Sequence, residues 1–212
     1  MINLLIADDH AIVREGIRKI LALTVDIKVV ADAVDGAGVL QQLNSPAVFD
    51  MLLLDLSMPG VSGTDLIGRI KACRAGLPIL VFSMHNEPQI ASRVIKAGAA
   101  GFISKDSDPE ILLEALRRVA AGGKYIDPVL AEQLAFDTLL PEQRAPHALL
   151  SDREFEVFNL LVAGKRVNEI AERLIISNKT VSTHKLHLME KMKLASTAEL
   201  VRYAVEHKLF QD

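Results

Sequence analysis

The stretch Asp50-Met51-Leu52-Leu53-Leu54-Asp55-Leu56-Ser57-Met58-Pro59-Gly60 decides the fold. Four apolar residues run up to a carboxylate, and a turn closed by Pro59-Gly60 comes next. An apolar run of this length between turn residues reads as a strand buried on both faces. Asp55 then sits at the strand's carboxyl end, where open α/β sheets hold their ligands. An aspartate there needs a purpose, because a buried unpaired charge is costly. A second apolar run, Leu4-Leu5-Ile6-Ala7, leads into the acidic pair Asp8-Asp9.

Similar runs recur at 27–31, 78–82 and 100–103. Helical spacing fills the intervals near 10–23, 35–43, 63–73, 87–97 and 108–121. Five β–α repeats predict a doubly wound, five-stranded parallel sheet with helices on both faces. Gly36-Ala37-Gly38 comes after the second strand and lacks a third glycine, so it reads as a helix start, not a dinucleotide fingerprint. Strand order is not readable from one sequence. The order 2-1-3-4-5 is one common solution and sets strands 1 and 3 side by side at the switch point. Asp8, Asp9 and Asp55 then converge on one crevice. Three carboxylates stay ionised together only with a compensating cation, and hard oxygen ligands suit Mg²⁺. Ser83 follows the fourth run, Lys105 follows the fifth after Ser104, and both fall on the same edge. A hydroxyl and an ammonium can hold phosphoryl oxygens while Asp55 acts as nucleophile and becomes an acyl phosphate.

The whole chain sets bounds on this reading. Of 212 residues, 50% are hydrophobic and 24% charged, the balance of a soluble globular protein. No apolar run approaches the ~18 residues of a bilayer span. The first residues turn acidic too early for a signal peptide, and the single cysteine, Cys73, excludes an internal disulfide. These features point to the cytosol and away from the membrane. The net charge of −3 does not announce nucleic acid, but Lys179 to Lys193 holds four lysines against Glu190 alone.

Residues 1–121 form the first predicted domain, and 122–147 read as a linker. Gly122-Gly123 ends the fifth helix, while Pro128, Pro141 and Pro146 punctuate the linker. Pro128 to Phe136 has helical spacing with apolar Val129, Leu130, Leu134 and Phe136, a short linker helix. Residues 148–212 predict a second domain of four helices. Ser151 and Glu154 form a capping box that opens the first. Two further helices joined by Ile175-Ile176-Ser177-Asn178 read as a helix-turn-helix, about 167–186. In the second of that pair, Val181, His184, Leu188 and Met192 mark the core face. Ser182, Thr183, Leu186, His187 and Glu190 point away, with Lys179 and Lys185 at the flanks. Such a helix suits the major groove of double-stranded DNA.

These residues carry a resemblance. Asp8-Asp9, Asp55 in Asp-Leu-Ser-Met-Pro-Gly, Ser83, and Lys105 in Phe-Ile-Ser-Lys-Asp resemble the receiver domain of bacterial response regulators. Leu150-Ser151-Asp152-Arg153-Glu154, Glu169-Ile170-Ala171, Lys179-Thr180-Val181 and Lys191-Met192 resemble the LuxR-type helix-turn-helix. Together the chain resembles the NarL/FixJ group. The resemblance implies that a sensor histidine kinase phosphorylates Asp55. It implies that Asp9, Asp55 and the carbonyl of Ser57 hold Mg²⁺ with help from Asp8. It implies that Ser83 and Phe102 are switch residues, and that Ser57 and His85 flank the attacking water and tune dephosphorylation. It further implies a homodimer when phosphorylated, regulating transcription. Lys165, Lys179, Thr180, Ser182, Thr183, Lys185, Leu186, His187 and Lys191 are the expected DNA contacts. Ser182 and Leu186 depart from the family by standing where basic residues are frequent. Two other readings compete. A metal-dependent aspartyl phosphatase needs an acid two residues past its nucleophile, where Ser57 stands. A signalling protein acting by protein contact would use the helix-turn-helix for another purpose.

Overall fold

The computed structural model describes residues 1–84, 88–139, 146–207 and 209. The chain forms two compact units, Met1–Phe136 and Asp137–Asp212.

In the first unit the apolar runs become parallel strands β1 (Ile2–Ala7), β2 (Ile27–Ala33), β3 (Met51–Leu54), β4 (Ile79–Ser83) and β5 (Gly101–Ser104). Helices α1 (Ala11–Leu21), α2 (Gly36–Leu43), α3 (Gly63–Cys73), α4 (Pro88–Lys96) and α5 (Pro109–Ala120) alternate with them. Every residue of β3 and β4 is buried because both faces are covered. Side chains alternate along a strand, so Leu52 and Leu54 join one core with Ile67, Ile70 and Val81. Met51 and Leu53 join the other core with Leu4, Ile6, Leu112 and Leu116.

Among the described residues the sheet order is β2-β1-β3-β4-β5-β6, so six strands stand where the sequence predicts five. The added edge strand is β6 (Tyr125–Ile126), paired parallel to β5. Gly122, at φ +84°, lets the chain reverse after α5. Two residues are too few to show a period of two, which is why the strand is silent in the sequence. The expected linker helix is present and longer by three residues. α6 spans Pro128–Leu139, and Leu130 is buried in the core that holds Leu52 and Leu54, with Leu134 packed against it. Val129 is exposed, and the side chain of Phe136 lies outside the described residues.

Asp35 caps α2 by accepting from Gly38 N at 2.6 Å. A Cβ at Gly36 would stand 1.9 Å from the Val61 carbonyl oxygen. The glycine therefore permits α2 to touch the β3–α3 loop, which agrees with a helix start.

The second unit is helical. A 3₁₀ turn at Pro146–Leu149 precedes α7 (Asp152–Val162), α8 (Val167–Leu174), α9 (Asn178–Met192) and α10 (Thr197–Glu206). The capping box is present: Ser151 N donates to Glu154 Oε2 at 2.6 Å, and Glu154 N donates to Ser151 Oγ at 3.4 Å. Among the described residues no helix is long and apolar enough to cross a membrane.

Candidate functional site

Strand pairing delivers the polar residues to one edge. Asp55 N donates to Ala7 O at 2.8 Å, Asp8 N to Ala33 O at 3.1 Å and Lys105 N to Ser83 O at 2.8 Å. Each bond extends a ladder by one residue past the apolar run, so Asp8, Asp55, Ser83 and Lys105 gather at the carboxyl ends. Asp8, Asp55 and Ser83 are buried. Lys105 Nζ lies 2.7 Å from Asp8 Oδ2 and 2.9 Å from Asp55 Oδ2, bridging the two carboxylates. Ser57 N donates to Asp55 Oδ1 at 3.2 Å, while the Ser57 residue itself is exposed.

The electrostatics arise from burial. Desolvation pushes the Asp55 carboxyl above the usual carboxylate range, and the nearby Lys105 ammonium only partly opposes it. Lys105 is raised: burial pulls it down, but Asp55 and Asp8 together outweigh that.

Ligand atoms of Asp8, Asp9, His10 and Asp55 all lie within 4.8 Å of one another. Asp8 Oδ2, Asp9 Oδ1 and Asp55 Oδ2 are shielded from solvent without a hydrogen bond of good geometry. Among the described residues, the Lys105 ammonium pairs with Asp8 and Asp55, and the His10 ring Nδ1 lies 2.8 Å from Asp9 Oδ1. Three carboxylates facing one lysine, with spare oxygen lone pairs, fit a hard divalent cation such as Mg²⁺.

Two contributors escaped sequence reasoning. His10 N donates to Asp8 Oδ1 at 2.8 Å, and the only signal was its position directly after Asp9. Arg14, on α1, donates from Nη1 to the Asp8 carbonyl at 2.7 Å and pairs with Asp32 at 3.4 Å. It braces the loop that carries the acidic pair. Its i+6 distance from Asp8 gives no pattern a single sequence reveals. Phe102 is 1% exposed and sits in the core with Val81 and Leu54. His85 lies outside the described residues.

In the second unit α9 shows the two faces expected. Val181, Leu188 and Met192 are buried, and His184 is half-buried with its pKa lowered, first by desolvation and then by Arg153. Lys179, Ser182, Thr183, Leu186, His187 and Glu190 are exposed together on the opposite side. Lys185 is half-buried, and Lys165 is exposed in the turn after α7. Thr180 is half-buried, its N–H donated to the cap Ser177 Oγ at 3.1 Å. Lys191 has a partner in the domain: its Nζ lies 2.6 Å from Glu154 Oε2, an atom already engaged in the α7 capping box. Arg153 adds a second brace by donating to the Leu174 carbonyl at 2.8 Å, at the end of α8.

Comparison with known proteins matches both halves. The response regulator receiver domain matches residues 4–117, and the luxR family of bacterial regulatory proteins matches 148–204. The response regulator UvrY of Escherichia coli (strain K12) is 37% identical over 210 residues, covering 99% of this chain and 96% of that protein. The response regulator GacA of Pseudomonas aeruginosa is 34% identical over 208 residues, covering 98% of this chain and 97% of that protein. A structure of RcsB from Salmonella enterica serovar Typhimurium, bound to promoter rprA in the presence of phosphomimetic BeF₃⁻, aligns with a TM-score of 0.71 at 33% identity. It covers 95% of this chain and 97% of that chain.

Proposed function

We propose that this chain, which belongs to the NarL/FixJ-type two-component response regulators with a LuxR-type helix-turn-helix, receives a phosphoryl group on Asp55. It is a DNA-binding regulator of transcription. The observation that carries the site assignment is the Lys105 ammonium bridging buried Asp8 and Asp55 at 2.7 and 2.9 Å.

The donor is a phosphohistidine on a sensor kinase. A carboxylate oxygen of Asp55 attacks phosphorus, the P–N bond breaks as the P–O bond forms, and the imidazole leaves. Lys105 shifts its ion pair from the Asp55 carboxylate toward a phosphoryl oxygen. Ser83 offers its hydroxyl to another oxygen. Asp9, Asp55 and the Ser57 carbonyl would hold Mg²⁺, with Asp8 assisting, and the ion would supply positive charge against the phosphoryl oxygens. Hydrolysis reverses the modification when water attacks phosphorus, and Ser57 and His85 tune that step. This chemistry acts only on the chain itself.

The output is a homodimer of the phosphorylated protein on double-stranded DNA. A structure of two RcsB dimers bound to two parallel DNAs, at 33% identity and TM-score 0.60, supports pairing on DNA. α9 enters the major groove with Thr183, Ser182, Leu186 and His187 toward bases and Lys165, Lys179, Lys185 and Thr180 toward phosphates. The functional parts are the receiver at 1–121, a segment at 122–147 whose β6 and α6 complete the receiver's sheet and core, and the DNA-binding domain at 148–212. The chain works in the cytoplasm. The test uses acetyl phosphate with Mg²⁺ as phosphodonor. Wild type should gain one acid-stable, hydroxylamine-labile phosphoryl group and bind DNA more tightly, whereas Asp55→Ala should do neither. Equal labelling of Asp55→Ala would overturn the assignment.

A further inference from the structure

Leu186 sits on the outward face of α9 with 57% of its surface exposed. Thr183 is three residues before it and Ser182 four, so all three share one helix face. More than half of this leucine's surface is open in the middle of the outward stripe of α9. The surrounding donors are also restricted. Ser182 Oγ donates to Asn178 O at 2.9 Å, and Thr183 Oγ1 donates to Lys179 O at 3.0 Å. Both hydroxyls therefore spend their hydrogens on the helix and turn outward as acceptors and, in Thr183, as a methyl group. The usual bidentate reader of guanine is an arginine or lysine reaching O6 and N7. None of the three central positions supplies one; Lys179 and Lys185 lie to the sides.

We infer that Leu186, with the Thr183 methyl, reads the C5-methyl group of thymine in the major groove, making the centre of each half-site A·T-dependent. The inference rests on DNA binding by α9 as proposed above and adds which base feature the helix detects. The physical basis is apolar contact. Burying one methyl is worth about fourfold in affinity, and the thymine methyl is the only apolar group any base pair presents in that groove. A polar or basic residue at 186 would instead favour hydrogen-bonding edges.

The test starts from a pool of randomised duplexes selected with the full chain in Mg²⁺ and beryllofluoride. Each thymine of the enriched duplex is then replaced singly by deoxyuridine, which deletes the methyl and preserves every hydrogen bond. At one thymine per half-site, wild type should lose about fourfold in affinity, and Leu186→Ala should lose less than about half of that ratio. Because Leu186 is exposed, Leu186→Ala should melt at the wild-type temperature, which separates readout from folding. Enrichment of a sequence that shows no uracil sensitivity overturns the Leu186 assignment and leaves DNA binding intact. Leu186→Ala weakened equally on thymine and uracil duplexes also overturns it. Failure of the chain to enrich any sequence overturns the DNA-binding reading beneath it.

Discussion

Replacing Lys105 by methionine should leave two solvent-shielded carboxylates facing one another without the cation that bridges them. The side chains of Lys105, Asp8 and Asp55 are 8%, 2% and 1% exposed, so water does little to replace the ammonium. Removing one partner from a buried ion pair costs about 3–5 kcal/mol, a large part of the roughly 5–15 kcal/mol that holds a domain folded. Asp55→Asn should act in the opposite direction. Burial raises the Asp55 carboxyl despite Lys105. A group whose folded pKa lies above its unfolded value adds stability only below the unfolded pKa, and that contribution is lost as pH rises through the folded one. Ionised Asp55 therefore costs stability above its folded pKa, and the asparagine should return part of it. In the double variant only Asp8 remains to miss the lysine, so the two effects should couple by about 2 kcal/mol. Hydrogen exchange of the β1 and β3 amides in the full chain, at pH 7 with chelator, reads the opening free energy of the receiver alone. Additivity within about 0.5 kcal/mol, or an unchanged Lys105→Met, would refute the reasoning.

Mg²⁺ at a hundred times its dissociation constant should stabilise the receiver by about 2.7 kcal/mol, and Asp9→Ala should abolish the response; an unresponsive wild type in a thermal melt would count against the cation site. Glu154 is held below the ordinary glutamate range, since Lys191 and Ser151 outweigh the burial that pushes it up. A depressed folded pKa stabilises above the unfolded value and is lost as pH falls through the folded one, so acid should unfold the helical domain less steeply in Glu154→Gln than in wild type in urea melts across pH. Lys179→Ala should lower the salt slope of DNA binding by about 1, whereas Lys191→Ala should leave the slope and lower the melting temperature; a reversed pattern would make Lys191 the phosphate contact. Ile175 holds φ 54° and is 73% exposed; a left-handed L-residue costs about 1–2 kcal/mol, so Ile175→Gly should raise the denaturation midpoint, and a lower one would show that the turn is unstrained.

The features legible in the sequence obey physical rules that act at short range. Leu52 to Leu54 announce a strand covered on both sides because no polar residue interrupts it, and Asp55 stands out because it ends that run. Asp8, Ser83 and Lys105 are readable for the same reason: each closes an apolar run. The alternation of Val181, Leu188 and Met192 with Ser182, Leu186 and His187 places the two faces of α9. The parts that are not legible depend on contacts between distant segments. β6 is two residues long and exists because β5 offers a free edge. The sequence marks Lys191 as an expected DNA contact but does not show that Glu154, 37 residues earlier, stands 2.6 Å from it. Arg14 and His10 join the acidic site through hydrogen bonds to Asp8 that involve backbone atoms, which no side-chain pattern encodes.

The packing of α6 matters to anyone who cuts this chain in two. Leu130 is buried against the same core that holds Phe102 and Val81, and Ile126 and Leu134 lie beside it. A fragment ended at residue 121 would lose the edge strand and strip this apolar cover, exposing Phe102's surroundings to water and to other copies. Such a fragment should aggregate, and its phosphorylation behaviour would report the truncation more than the protein. A cut after residue 136 keeps the cover in place and gives the piece on which the chemistry of Asp55 can be measured in isolation.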